Sequence, residues 1–368
     1  MSRALSKATF SSLGTCRGGA KYSRNLIFEN ICSSKSKQRG VCMSSRREGL
    51  DLHRTDHKFA TNFSLIPNAR DLADSTNYID RGKIFRSGNP IDATSQDSIV
   101  VRKLLGIEKF IDLRSESEHE AHEEWHCILS GGTIYNYSFS KWDGMHLASS
   151  TVVGINPKLE GESLQPCELH RFSLLEKKRF ISKLLWKLPL WNAILALSYK
   201  VIGHEDKMRS ILLPEINTLG LPLVYEVILE TAKLEIKAAL YEILASVKSQ
   251  QPVLIFCKLG KDRTGILSAL VLAICDVPLD DIISDYTKSN DIHQIALGGV
   301  EKMKDVQGVD TSLFSSAPKE AMIQTFAYID RKYGSVHEYL DHIGFSFLSQ
   351  NELKHAMVSK TNKGNYKC

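Results

Sequence analysis

The chain has 368 residues, of which 43% are apolar and 24% charged, with a net charge of +5 at neutral pH. That composition belongs to a globular protein long enough for one large domain or two small ones. The charge is unevenly spread, because residues 1 to 50 carry ten Lys/Arg against two Glu, while the remainder carries 37 basic and 40 acidic side chains. Beyond the first fifty residues there is no basic footprint for nucleic acid, which excludes that class of function for the main body.

In chain order, the first 50 residues come first. They hold ten Ser and no acidic residue before Glu29, with Arg3, Lys7, Arg17, Lys21 and Arg24 spaced along them. No continuous apolar core of a secretory signal is present, so this stretch reads as an organelle transit peptide, plastid or mitochondrial. The alternative is a plain basic tail on a cytoplasmic protein. Three of the eight cysteines (Cys16, Cys32, Cys42) lie here, and the other five are irregularly spaced, which suggests a reduced compartment without a disulfide framework. The body, residues 51 to 368, reads as a single domain.

Residues 104 to 114 read as the end of a short helix followed by a buried strand. Next, His122-Glu123-Glu124-Trp125-His126 matches H-E-x-x-H, in which two His one helical turn apart bind zinc and the Glu activates water. A zinc metalloprotease is therefore an alternative reading. Against it, residues 116 to 124 are strongly polar and lack the apolar flanks of a buried active-site helix, so a solvated charged helix is the simpler account. Residues 134 to 139 read as a further strand.

Residues 172 to 210 stand out as a helical insertion rich in Leu, Ile, Trp and Lys. Its apolar run from Leu184 is interrupted by Lys187, Pro189, Asn192 and Lys200, which argues against a membrane-spanning helix. It reads as a helical lid, with possible contact to an anionic membrane surface, or else as an extra helical pair packed on the body. Apolar residues at helical spacing from 224 to 247 predict one long helix.

That helix leads to the most specific stretch of the chain. The apolar run Pro252-Val253-Leu254-Ile255-Phe256 is followed by Cys257-Lys258-Leu259-Gly260-Lys261-Asp262-Arg263-Thr264-Gly265, and then by a helix-like stretch from Ile266. A strand, a short loop and a helix N-terminus can point successive backbone N–H groups at an anion. Arg263, six residues after the thiol, offers a planar fork for two phosphate oxygens. Positive surroundings favour a thiolate at Cys257, and Thr264 can donate its hydroxyl to that sulfur. Neither G-x-G-x-x-G nor G-x-x-x-x-G-K-[ST] is present, so dinucleotide and ATP loops fit poorly. Strands alternating with helices imply an α/β fold, a central parallel or mixed sheet flanked by helices, with the loop at a strand's carboxyl end.

The loop resembles the C-x5-R-[ST] signature of the cysteine-dependent tyrosine and dual-specificity phosphatases, and in particular the branch written C-x-x-G-K-D-R-T-G. Further stretches are similar to that branch in order: Asn68-Ala69-Arg70-Asp71-Leu72, the segment around Phe85-Arg86-Ser87-Gly88, Asp112-Leu113-Arg114-Ser115-Glu116, Asp285-Tyr286-Thr287-Lys288-Ser289-Asn290 and Tyr333-Gly334-Ser335-Val336-His337-Glu338. The resemblance covers most of residues 60 to 345. It implies a phosphatase fold, a helical lid at about the place of the insertion, and no cofactor. It further implies a phosphocysteine intermediate on Cys257, Arg263 as phosphate clamp, and Lys258, Leu259, Gly260, Lys261, Thr264 and Gly265 as the phosphate-binding loop. Two positions depart from the pattern: Phe256 stands where the family usually has His, and Ala73-Asp74 where it has Gly-Gly.

Such an enzyme needs a general acid. Residues 207 to 261 contain no Asp, so Asp262 is the leading candidate, in agreement with its role in the resembled branch; Glu205 and Asp206 are the runners-up. Lys258 and Lys261 would either meet extra phosphates of a phosphoinositide or only draw anions to the loop. The expected ligand is thus a phosphorylated protein or a phosphoinositide. Phe256 keeps open a catalytically weak or inactive module that binds phosphorylated ligands.

Overall fold

The computed structural model describes residues 66 to 119, 127 to 140, 144 to 290 and 315 to 358. The leader and the H-E-x-x-H stretch lie outside the described residues. Seven strands form one sheet: β1 (Arg70–Asp71), β2 (Ile84–Ser87), β3 (Lys109–Asp112), β4 (Thr133–Ser140), β5 (Gly144–Val152), β6 (Glu168–Arg171) and β7 (Val253–Phe256). Their order is β1-β2-β7-β3-β6-β4-β5. The five inner strands run parallel, and β1 and β5 close the two edges antiparallel. The expected mixed sheet is present, and β7 sits between β2 and β3, in register Ser87↔Phe256 and Asp112↔Phe256. The carboxyl ends of three adjacent parallel strands therefore converge where Cys257 begins.

Alternation along the strands divides the core into two. Ile84, Ile111, Val253, Ile255 and Cys257 face the larger cluster. Phe85, Phe110, Leu254 and Phe256 face a smaller one that includes Val101, Ile107, Ile128 and Ile134. Helix α1 (Ser95–Ile99), closed by a capping box between Thr94 and Asp97, and the π-helical turn Val100–Leu104 lead into β3 on the smaller side. The larger side takes the buried faces of α5 (Lys233–Lys248), α6 (Asp262–Ile274), α7 (Leu279–Thr287), α8 (Lys319–Tyr333), α9 (Val336–His342) and α10 (Phe347–Met357). Burying both faces explains why β7 reads as an unbroken apolar run instead of an alternating one.

The insertion forms α2 (Lys177–Leu185), α3 (Leu190–Ile202) and the first part of α4 (Glu205–Thr231). It has a small core of its own, with Leu184, Leu188, Ala196, Met208 and Leu212 packed against Leu223 and Val227. Gly220 breaks α4 (φ 54°, ψ −146°), a conformation open to glycine alone. By length and composition α4 could cross a membrane. In this fold its second half is buried in the protein, with Leu221, Tyr225, Ile228 and Leu229 in the main core.

The single helix expected over residues 224 to 247 is instead two helices, α4 and α5, that meet at Ala232 (φ −109°, ψ 30°). Neither Pro nor Gly marks the break. Arg179 of α2 donates to the Thr231 carbonyl at 3.1 Å and also pairs with Glu235, so a side chain from the insertion takes a carbonyl of the final turn.

Candidate active site

Cys257 is the first residue past β7 and only 2% exposed. The loop that follows is held from outside by its carbonyls. Lys258 O accepts from Asn89 N–H at 3.1 Å, and Leu259 O from Asn68 Nδ2 at 3.1 Å. Gly260 O accepts from Asn68 Nδ2 at 2.9 Å and from Arg86 Nη2 at 2.7 Å. Three successive carbonyls are thus taken by donors outside the loop, and a planar trans peptide whose carbonyl points outward points its N–H inward. This is how a loop becomes an anion nest.

Gly260 makes that path possible. Its φ is +67°, and a Cβ there would fall on the Ser87–Gly88 peptide at the end of β2. The loop then enters α6, whose first closed bond is Gly265 N–H to Lys261 O at 2.8 Å, so the positive end of a 13-residue helix adds to the nest.

The clamps are themselves fixed by a buried charge cluster. Asp285 on α7 receives Arg70 Nε at 3.0 Å and the Arg86 guanidinium, and its carbonyl receives Arg70 Nη2 at 2.7 Å. Arg70 also donates to Asn68, and Asn68 Nδ2 reaches Ser289 Oγ at 3.2 Å. Burial, then the neighbouring Arg70, bring the Arg86 pKa down to about 10, with Asp285 opposing. Asn68, Arg70, Arg86, Asp285 and Ser289 belong to stretches that carried the family resemblance; the structure supplies their role, which is to hold the loop open.

Arg263 lies in the first turn of α6, and both of its terminal nitrogens bind the carboxylate of Glu118, Nη2 to Oε1 at 2.8 Å. Burial acts against the Arg263 charge, but the Glu118 hydrogen bonds and charge, with the nearby Cys257 and Asp262, raise its pKa above the ordinary arginine value. Burial likewise acts to raise Glu118, yet the Arg263 hydrogen bond and charge hold its carboxyl at about 2. Glu118 was not singled out in the sequence. Its only signal there is its place shortly after Asp112-Leu113-Arg114-Ser115, in a turn whose capping contact joins Ser115 to Glu118.

Asp262 sits beside Arg263, partly exposed, and Tyr225 Oη of α4 donates to its Oδ1 at 2.6 Å. Tyr286 Oη lies 2.7 Å from Tyr225 Oη and, since the Tyr225 proton is given to Asp262, acts as donor there. Burial, reinforced by the Asp262 charge, raises Tyr225 well above the usual phenol, which fixes it as a donor. Glu205 and Asp206 instead lie exposed in the first turn of α4, with Glu205 paired to Arg209 at 3.6 Å.

Lys258 is exposed at the rim. Lys261 corrects the expectation of two lysines around the mouth: it is 1% exposed, and its Nζ donates to Ser316 O at 2.7 Å. Its cation pins the segment before α8 against the loop. Among the described residues the buried Thr264 hydroxyl has no hydrogen-bond partner, and Leu259 and Gly265 complete the loop. Phe256 points to the other side of the sheet, into the smaller core, with the Arg114 guanidinium 5.5 Å over its ring. Among the described residues, no group of three or more His, Cys, Asp or Glu could hold a metal ion.

A nest of backbone N–H groups at the end of a parallel strand, a thiol at its base and a buried arginine on its rim define the cysteine-dependent phosphatase class. The model of the tyrosine phosphatase family matches residues 61–359, and the chain belongs to that family. It is 30% identical over 135 residues to the triple specificity protein phosphatase PtpB of Mycobacterium tuberculosis, a match covering 33% of this chain and 49% of PtpB. The chain thus spans about half the length of that relative. A provisionally named tyrosine-protein phosphatase of Cupriavidus necator is 23% identical over 286 residues, 76% of this chain and 81% of the relative.

Proposed function

We propose that the chain hydrolyses phosphomonoesters through a phosphocysteine intermediate. The Cys257 thiolate attacks phosphorus in line with the leaving oxygen, and the P–O bond breaks as the S–P bond forms. Asp262 gives its proton to the leaving oxygen, while the loop N–H groups and Arg263 hold the three remaining phosphate oxygens. Water then attacks phosphorus, Asp262 takes its proton, and inorganic phosphate and the thiolate are released. The unpartnered Thr264 hydroxyl is left as a donor to the departing sulfur.

The observation that carries this reading is the outward tethering of three successive loop carbonyls around Cys257. A buried thiol before an ordinary helix needs no such tethers. The name of PtpB, a triple specificity phosphatase, supports a substrate range that includes phosphotyrosine, phosphoserine or phosphothreonine, and phosphoinositides. A single exposed loop lysine, Lys258, is left to meet an additional phosphate.

The test is phosphate release, in EDTA, from a phosphotyrosine peptide, a phosphothreonine peptide and a set of phosphoinositides, with Cys257→Ser alongside. Turnover that survives EDTA and is lost in the Ser variant is expected. Binding of these ligands without turnover would favour the phospho-ligand module, a reading that Phe256 supports because it places no hydrogen-bonding side chain before the thiol. The Ser-rich basic stretch at residues 1 to 50 supports import into a plastid or mitochondrion; a reporter fused to residues 1 to 50 and left in the cytoplasm would sink that part.

A further inference from the structure

The insertion carries a surface that the catalytic reading does not use. From Lys177 to Gly203 the sequence contains six Lys/Arg and no acidic residue. Within it, α3 contributes Ala193, Ala196 and Tyr199 to the small core. Apart from Asn192, Ser198 and Lys200, the rest of its residues are apolar and reach solvent: Trp191 and Val201 are each 81% exposed, Leu190 77% and Ile202 67%, and Trp186 at the end of α2 is 87% exposed. Single exposed apolar residues are ordinary, but a run of exposed apolar residues along one helix, with a further exposed Trp at the end of the preceding helix, is not. Lys178 and Lys200 are exposed and Lys183 half-exposed on the same pair of helices.

Two occupants are suggested by an apolar face of this kind, a second protein surface or a lipid bilayer, and the charge decides between them. We propose that the α2–α3 hairpin docks on an anionic lipid surface, with Trp186, Leu190, Trp191 and Val201 entering the headgroup boundary and the lysines meeting lipid phosphates. An amphipathic helix with Trp and Leu on one side and Lys flanking it lies in the interface plane, and its affinity adds apolar burial to attraction by anionic lipids. The insertion is also placed to matter for catalysis. Lys187 of the hairpin pairs with Glu226 at 2.7 Å, and the residue before it, Tyr225, holds Asp262. That a docked hairpin also serves turnover rests on the phosphatase reading, whereas the docking does not.

The test is sedimentation of the full chain with vesicles of phosphatidylcholine alone and with a third phosphatidylserine. Binding is expected only to the anionic vesicles. Lys178→Gln/Lys183→Gln/Lys200→Gln should weaken it on the order of 100-fold, from about tenfold for each 1.4 kcal/mol and about 1 kcal/mol per cation. Trp191→Ser/Val201→Ser should weaken it roughly tenfold or more. Turnover of a soluble phosphotyrosine peptide by both variants, expected within about twofold of the parent, shows that the fold is kept. Equal binding to both vesicle types, or variants that bind like the parent, would overturn the proposal. So would sedimentation velocity showing a dimer that Trp191→Ser/Val201→Ser dissociates, because a second copy would then cover the face. Absence of turnover in every form, with charge-dependent vesicle binding intact, would overturn the phosphatase reading and leave the docking standing.

Discussion

Tyr225 reaches Asp262 from a helix that begins in the insertion, so the side chain we propose as acid and base is oriented by a residue outside the loop. In Tyr225→Phe the packing around Tyr286 is kept and the 2.6 Å bond to Asp262 is lost. A hydrogen bond to a charged group is worth about 1.5 to 3 kcal/mol, so kcat is expected to fall roughly tenfold or more with KM little changed, read from steady-state kinetics. A second residue bears on pH. Burial pushes the Asp71 carboxyl up to about 6 from 3.8, against hydrogen bonds from Ala73 and Gly82 N–H. The folded state therefore holds a proton that the unfolded chain has lost, and the stability this contributes is complete below about pH 3.8 and is lost as pH rises through 6. The melting temperature of the parent relative to Asp71→Asn should accordingly decline from pH 4 to 6 and level off above 7; a constant difference would refute the assignment. At this scale the loop from Cys257 to Arg263 stood out as a cluster because its reactive and charged side chains lie within seven consecutive residues. Glu118 and Tyr225 did not, since their bonds to the loop span 145 and 37 residues and leave no local pattern.

The loop, β2 and α7 act together as elements. Gly260→Ala places a Cβ on the Ser87–Gly88 peptide in a left-handed backbone, so the loop must move away from β2. A cost of roughly 2 kcal/mol or more and loss of inorganic phosphate binding are expected, read by calorimetry. Asp285→Ala should cost more, about 3 to 5 kcal/mol in denaturant unfolding, because it leaves Arg70 and Arg86 buried without their carboxylate. A value near zero would mean that the two arginines find other partners. β3, β4 and β7 were legible from apolar runs and periodicity, and the insertion from its composition. The helix over 224 to 247 was overextended because periodicity carries no information about Arg179, whose bond to the Thr231 carbonyl ends α4 from 52 residues away. The two loop lysines look equivalent in sequence; only tertiary packing sends Lys261 to Ser316 and leaves Lys258 at the rim.

For the molecule as a whole, charge is arranged rather than merely balanced. Residues 51 to 368 carry −3 in total, and residues 177 to 203 within them carry +6, so the rest of that body carries −9. A net-acidic body with one net-basic segment is turned by an anionic surface so that this segment leads. The screening length is about 30 Å at 0.01 M salt and about 3 Å at 1 M, so this orientation is a low-salt property, while the apolar part of docking is not. The kcat/KM for a phosphoinositide held in anionic vesicles should therefore fall more steeply between 0.05 and 0.5 M salt than that for a soluble phosphotyrosine peptide. Lys178→Gln/Lys183→Gln/Lys200→Gln should remove the difference between the two slopes, since local screening at Arg263 and Lys258 is common to both substrates. Equal slopes in the parent chain would show that the hairpin charge has no part in bringing the loop to a lipid substrate.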